Sequence, residues 1–546
     1  MVPEYNSRGT DTHISHSRNL LAENTCKLQY FRLYLSLPFA NAAPSTSLPE
    51  SEQIAQLTQQ LQWAHLTIQL LEERLRLERI KKYGPGSEKL NSAQLDLLDL
   101  EPGVSSVEVQ AESELEPLPV PAKGAKSRKH PGRQELPAGL PRVERVIACA
   151  PAQCTCSACG QPTAVIGYDV SEQLDVEPAK YFVLVTKREK RACKHCQESG
   201  VAAASVPARI VEKGLVSDRV VIDTVVAKYS DHLPLYRQSV ILEREAGIEI
   251  SRATLDGWVM RVGELLIPIA AAMRRELLDG SYIQADETTV DVQMHDGRGQ
   301  NHQAYFWQYG RPGGGVVFEF RLGRGRDGPK EFLGQFEGIL QTDGYGAYDR
   351  VGGPKMVHAG CWSHARRKFF DAAKLNPSDA TATRIVARID DLFGIDAQAR
   401  EQNLDLAARH ALRLERAKPL VEIIRGEIEA ARDASLPSSA LGKAANYALS
   451  LWPKLTRFLE HPELELSNNV AENSMRPIAL GRKNWIHVGS QQSGPKVAAI
   501  LSIVESCRRL KIPAREYLAA VLPGLADISI QRLAELTPTA WAAKSR

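Results

Sequence analysis

The chain has 546 residues, more than one ordinary hydrophobic core accommodates, so several domains are expected. Its 43% apolar and 24% charged residues are the composition of globular protein, and no stretch approaches the roughly 20 consecutive apolar residues of a membrane-spanning helix. The net charge of +3 is close to neutral, so any nucleic-acid-binding surface has to come from local clusters of Lys and Arg.

Residues 1–48 show no sustained period and are left unassigned, as a disordered tail or an extension from a misplaced start. The segment 31–43 has the outline of a signal-peptide core, but Arg32 interrupts it and no basic region opens the chain, so export is not expected. Ile54, Leu61, Ile68 and Leu75 then recur every seven residues, with Leu57, Ala64 and Leu71 between them. That seam predicts a helix that pairs with another helix; the plainer alternative is an amphipathic helix packed on its own domain. Glu78 ends the register, and Tyr83-Gly84-Pro85-Gly86 breaks the helix within a leucine-rich region, 49–100, expected to form a coiled coil or bind DNA. Residues 101–122 are Pro- and Glu-rich, and 123–133 are basic, so 101–141 reads as a linker.

Nine cysteines, an odd number, fit a reducing compartment better than a secreted disulfide framework. Four of them form two Cys-x-x-Cys pairs, Cys156/Cys159 and Cys193/Cys196, with 33 residues between Cys159 and Cys193. Thiolate suits tetrahedral zinc, and this spacing fits a zinc ribbon with strands between its knuckles. Cys149 and Cys154 are close enough in sequence to substitute as ligands. Four sulfur ligands leave no open position, so such a zinc is structural. The module is placed at 142–210; Lys187, Arg188, Lys190, Arg191 and Lys194 flank its second knuckle as a phosphate-binding patch.

Residues 211–278 read as helices. Gly247 ends one, and Ser251 caps the next, just before Arg252. This is the helix-turn-helix outline, with an ordinary helical hairpin as the alternative. From Ser281 three β-rich runs follow, then a short helix, a strand at Ile339–Asp343, a strand running into a helix over 355–370, and a helical block. Three strands, a helix, two more strands and a closing helix is the ribonuclease-H-like order, placed at 279–500 with a helical insertion at about 375–462 and a C-terminal region at 501–546. The predicted fold class is therefore multidomain α+β: an N-terminal coiled-coil helix, a zinc ribbon, helix-turn-helix-like helices and a ribonuclease-H-like α/β core.

Three well-separated acidic segments surround Asp286, Asp343 and Glu472. Cutting a phosphodiester requires an activated attacking oxygen and a stabilised leaving oxyanion, which two hard cations held by carboxylates can supply. Alternation within the first strand does not choose between Asp286, Glu287 and Asp291; it says only that Asp286 faces away from the other two. In the third segment Asn469, Glu472 and Arg476 share one helix face. Arg476 can orient the glutamate or grip phosphate, and Pro477 is expected to limit the helix. Arg482, Lys483 and Trp485 offer phosphate contacts and a stacking surface, with core packing as the alternative for the tryptophan. His358, Cys361 and His364 have a spacing that invites a second metal; the reading preferred is a strand-to-helix junction with Arg366, Arg367 and Lys368 facing nucleic acid.

Together these segments resemble the transposases of insertion-sequence-66 elements. The likeness runs from about residue 52 to the C-terminus through KKYGPGSEKL, GRQELPAGLPR, the two cysteine pairs, VAKYSDHLPLYRQ, ADET, QTDGYGAY, HAGCWSHARRKF, NNVAENSMRPIALGRKNW and SCRRLKIPAREYL. The resemblance implies a DDE-type DNA transposase that cleaves at element ends and joins 3′-hydroxyls to target DNA. The implied acidic residues are Asp286, Asp343 and Glu472 holding Mg²⁺ or Mn²⁺, with structural zinc on Cys156, Cys159, Cys193 and Cys196. Implied partners are double-stranded DNA, further copies of the chain and small accessory proteins of the same element; the implied setting is the cytoplasm of a prokaryote, at its nucleoid. The rivals from residues alone are a non-catalytic DNA-binding regulator and a nuclease that cuts without joining.

Overall fold

One eleven-residue strand organises the sheet of this protein, whose computed structural model describes residues 50–83, 161, 181–192, 201–212, 214–294 and 299–544. The chain divides into two compact units, 1–69 and 70–546. Helix α1 (Glu50–Tyr83) ends where the glycine-proline breaker was expected, and Ile54, Leu61, Leu71 and Leu75 of its seam are each more than half exposed. Among the described residues, no helix is long and apolar enough to cross a membrane.

Strands β1 (Lys190–Ala192) and β2 (Val201–Ala203) form an antiparallel hairpin. The four paired cysteines, together with Cys149 and Cys154, lie outside the described residues. Three helices follow: α2 (Asp218–Tyr229), α3 (Leu235–Ala246) and α4 (Arg252–Leu278). Gly247 closes α3 in the left-handed region at φ 67°, where a side chain is strained, and Ser251 Oγ accepts from the Thr254 N–H to start α4. Leu255, Val259, Val262, Leu266, Ile269 and Met273 recur every three or four residues and bury one face of α4.

The large sheet comprises β3 (Tyr282–Val292), β4 (His302–Gly310), β5 (Val316–Arg321), β6 (Ile339–Gln341), β7 (Val357–Ala359) and the short β8 (His487–Val488). Its order is β5-β4-β3-β6-β7. The first three strands are antiparallel, while β6 and β7 run parallel to β3. One edge of β3 is paired with β4 over residues 284–292; the other is shared, with β6 at residues 282–284 and β8 at 291–292. Helix α5 (Asp327–Leu333) lies between β5 and β6 in the chain.

Beyond β7 come α6 (Trp362–Leu375), then α7 (Ala380–Glu401), α8 (Leu406–Leu412), α9 (Lys418–Asp433), α10 (Ala440–Ser450) and α11 (Trp452–Leu455), the last five within the range 375–462. They form their own hydrophobic core, which also takes in Tyr282, Ile339 and Ala359 from the sheet. Helix α12 (Asn469–Trp485) returns the chain to the sheet, and α13 (Ser493–Arg509), α14 (Ala514–Val521) and α15 (Pro538–Lys544) complete it. The boundaries drawn at 278/279 and 500/501 do not divide the core: α2, α4, the sheet, α13 and α14 contribute to one hydrophobic cluster. Helix α13 also satisfies the edge strand β5, since Ser506 Oγ accepts from Val316 N at 2.9 Å and Ser502 Oγ from Phe318 N at 2.8 Å.

Pro477 does not limit α12, which continues to Trp485. A proline there removes one backbone hydrogen bond, and burial of Ile478 and Gly481 against the core holds the second half in place. Trp485 packs against Tyr229 with ring centroids 6.5 Å apart, so the core alternative describes it.

A buried ion cluster holds the insertion together. Asp396 of α7 accepts from Arg413 Nη2 at 2.7 Å and from Arg409 Nη2 at 2.7 Å, and Glu465 accepts from Arg409 and Arg400. Burial opposes ionisation of Asp396, yet Arg413 and Arg409 hold its carboxyl below the usual range. Its contribution to stability is therefore complete above the ordinary carboxylate range and declines as pH falls through that range. Replacing Asp396 by Asn leaves two guanidinium groups short of their counter-charge and is expected to lower unfolding stability by about 3–5 kcal/mol at neutral pH. Urea melts between neutral and acid pH check this: the difference between wild type and variant should shrink as the solution is acidified.

Candidate functional site

The parallel pairing of β3 with β6 sets the site. Gln284 pairs with Gln341 as the last pair between the two strands, and Asp286 and Asp343 each follow two residues later. Side chains two apart on a strand share a face, and adjacent strands lie about 4.8 Å apart. The pairing stops there, because Asp343 is already in the turn after β6, where its Oδ1 accepts from Tyr345 N at 2.8 Å. Asp286 Oδ1 accepts from Glu287 N at 2.9 Å.

A buried polar network maintains this register. Gln341 Oε1 accepts from Tyr282 Oη at 2.5 Å and from Gln284 Nε2 at 2.9 Å, while Gln341 Nε2 donates to Gly360 O at 3.0 Å and Glu465 O at 2.7 Å. Gln284 Nε2 also donates to Ser467 O at 3.0 Å. The same side chains that lock β3 to β6 therefore fix residues 465–467, the lead into α12, whose first turn carries Glu472.

Glu472 lies beside the start of α6. His364 Nδ1 is 3.5 Å from Glu472 Oε1, and donor atoms of Cys361, His364 and Glu472 all fall within 4.8 Å of one another. His358 is not in this group, so the metal-like spacing noted in the sequence is completed by a distant glutamate. The carboxylates also sense each other. Asp286 is pushed well above its ordinary value, first by burial and then by the charges of Glu472, Glu287 and Asp343. Burial opposes charge on His364, but Cys361, Glu472 and Asp343 together raise it to about 10. Such concentrated negative charge fits a cation.

Glu287 and Asp291 are elsewhere. Glu287 accepts from Arg324 Nε at 2.9 Å and from Tyr348 Oη at 2.8 Å, and Asp291 is exposed. Asn469, Glu472 and Arg476 do lie on α12; Arg476 is half-buried and reaches Asn473 Oδ1 at 3.5 Å. Two of the expected DNA contacts serve the fold instead. Arg366 is 4% exposed and binds Asp390 through Nε at 2.5 Å and Nη2 at 3.2 Å, because its position on α6 faces α7. Arg482 Nη1 donates to the Thr289 carbonyl at 2.6 Å and Thr289 Oγ1 at 3.0 Å, stapling α12 to β3. Lys187, Arg188, Arg252, Arg367 and Lys483 are exposed, and the Arg191 side chain lies outside the described residues. Sequence reasoning missed the Tyr282–Gln284–Gln341 network; the signal was a glutamine two residues before each aspartate.

The sheet is mixed, with β6 and β7 parallel to β3, and comparison with known proteins gives the chain its family. The chain belongs to the IS66 family of transposases: the model described as "Transposase IS66 family" matches residues 213–496. The zinc-finger binding domain of transposase IS66 matches 153–197, which contains all four paired cysteines and fits a structural zinc. A third model, "Transposase C of IS166 homeodomain", matches 70–145, so the stretch expected to be a linker falls within a family domain. Two relatives in Sinorhizobium fredii (strain NBRC 101917 / NGR234) are named only as uncharacterized proteins. The chain is 33% identical to y4qI over 470 residues, 82% of this chain and 84% of that one. It is 31% identical to y4hP over 439 residues, 76% and 78% respectively.

Replacing Gln341 by Leu strips hydrogen bonds from Tyr282, Gln284 and two backbone carbonyls at once. A stability loss of about 3 kcal/mol is expected, since buried groups left unpaired cost roughly 1–3 kcal/mol each and partly relax. Denaturant unfolding measures it, and a loss below about 0.5 kcal/mol, the range of neutral surface substitutions, would show that the network is not holding the register.

Proposed function

We propose that the protein is a DDE-type transposase whose ribonuclease-H-like core cuts the ends of its own element and joins them to target DNA, with Asp286, Asp343 and Glu472 as the acidic triad. The observation that supports this reading is the β3–β6 register, whose last pair, Gln284 with Gln341, stands two residues before each aspartate, together with Glu472 in the first turn of α12. The strand order, three antiparallel strands followed by two parallel ones, supports the ribonuclease-H-like assignment.

The donor set fits a hard divalent cation: three carboxylates, one of them resisting ionisation until positive charge arrives. When bound, Mg²⁺ or Mn²⁺ would supply activation of the attacking oxygen and neutralisation of the leaving oxyanion. The protein's own part is placement. Gln284, Gln341 and Tyr282 hold the strand ends, Arg482 holds α12 on β3, and Arg476, one turn after Glu472, would meet phosphate. Water or a 3′-hydroxyl then meets a phosphodiester at a site whose carboxylates are already fixed.

DNA would be gripped outside this centre. The N-terminus of α4 presents exposed Arg252 after the Gly247 turn, in helix-turn-helix manner, and Arg367, Lys483, Lys187 and Arg188 add exposed positive charge. Arg191 would extend the patch beside the zinc ribbon of Cys156, Cys159, Cys193 and Cys196. The exposed apolar seam of α1 supports self-association as a coiled coil, which would bring two element ends together. Small accessory proteins of the same element would complete the assembly.

The decisive experiment is transposition from a donor plasmid carrying the gene's own flanking DNA, with the neighbouring small reading frames supplied. Joined product is expected from wild type and none from Glu472→Gln; cut but unjoined ends from wild type would favour a nuclease. Asp286→Asn and Asp343→Asn should reduce cleavage to background while end-specific binding in a gel shift persists. Cleavage retained by Asp286→Asn would remove that residue from the site. For the seam, Leu61→Glu combined with Ile68→Glu should turn an oligomer into a monomer in analytical ultracentrifugation.

A further inference from the structure

Cys361 and His364 have no part in the acidic triad, yet both converge on one of its members. Cys361 is the residue immediately before α6 and His364 is the third residue of that helix, a spacing that puts both on one side of its first turn. Cys361 is 1% exposed. His364 Nδ1 is buried and lies 3.5 Å from Glu472 Oε1. The sulfur, nitrogen and oxygen atoms fall within 4.8 Å of one another.

We propose that Cys361, His364 and Glu472 form a second metal site, selective for a borderline divalent cation of the zinc class, and that its occupation withdraws Glu472 from the magnesium-binding triad. The inference rests on the reading of Glu472 as a triad member. Thiolate and imidazole are ligands that zinc or cobalt takes in preference to magnesium, which demands hard oxygen donors. Three protein ligands leave a fourth position open, so the ion is exchangeable, unlike one enclosed by four cysteines. Zinc bonds of about 2.0–2.3 Å bring tetrahedral ligand atoms to roughly 3.3–3.8 Å from one another. The three side chains therefore need to close by only about 1 Å, within the reach of rotation about their own bonds. Glu472 cannot complete both sites in one geometry, so zinc acts as a brake on an enzyme that runs on magnesium.

The test uses the full chain with Zn²⁺ as probe. Bound zinc per chain is counted by elemental analysis after dialysis, in wild type, Cys361→Ser and His364→Ala, with circular dichroism to check folding. Each variant is expected to hold one zinc fewer than wild type. Zinc K-edge absorption of the wild type, which needs no variant, should give a mixed shell of sulfur and lighter ligands; an all-sulfur shell overturns the site. Micromolar zinc should slow magnesium-dependent end cleavage by wild type at least tenfold, and cleavage unaffected by zinc at full occupancy overturns the brake. Equal zinc in all three proteins, with cleavage still abolished by Glu472→Gln, rejects this inference and leaves the transposase mechanism standing. One zinc lost in each variant, from a wild type that never cleaves with magnesium, supports the metal site and rejects the catalytic reading.

Discussion

The parallel register between β3 and β6 is the constraint on which the site depends. A strand's side chains repeat every two residues, so a slip of one would turn Asp286 or Asp343 to the wrong face. Only three residue pairs hold these two strands together, too few for backbone hydrogen bonds to resist a slip unaided. The buried glutamines make up the difference. Gln284 and Gln341 are bonded to each other and to Tyr282, and a shifted register would strand several buried polar atoms without partners.

That network reaches well beyond the strands. Through the carbonyls of Glu465 and Ser467 it holds the segment leading into α12, and the Glu465 side chain belongs to the ion cluster of Asp396, Arg400 and Arg409. The insertion is thus tied by buried hydrogen bonds and ion pairs to residues 465–467, the segment that leads into α12. Trp362 N donates to Leu466 O at 2.8 Å, tying the start of α6, with Cys361 and His364 beside it, to the same segment. The helical block therefore anchors the segment from which α12 starts.

The carboxylate cluster concentrates negative charge around a buried aspartate. Burial and then the neighbouring acids push the Asp286 carboxyl up, while Cys361, ahead of Glu472 and Asp343, raises the His364 imidazole against its own burial. Protonation of the histidine and arrival of a metal are two ways of neutralising the same negative charge. Polar atoms of Asn468 and Asn473, flanking the first turn of α12, are also buried without hydrogen-bond partners, which suits a site completed by something bound.

Much of this was legible in the residues. Strand alternation, the Gly247 turn with its Ser251 cap, the seam of α1 and the order of elements are local patterns, and local sterics and periodicity decide them. The three acidic segments could be picked out, but choosing Asp286 over Glu287 needed the partners on each face: Arg324 and Tyr348 on one, the other acids on the opposite one. Arg366 and Arg482 look in sequence like any exposed basic residue; their acceptors, Asp390 and Thr289, are 24 and 193 positions away. The same holds for Cys361 and His364, whose third neighbour is Glu472. The sequence by itself determined the elements, their order and the family, because those follow from patterns within a few turns of chain. Which polar side chains meet was decided only by tertiary structure, because burial and pairing depend on residues that the chain brings together from tens to hundreds of positions apart.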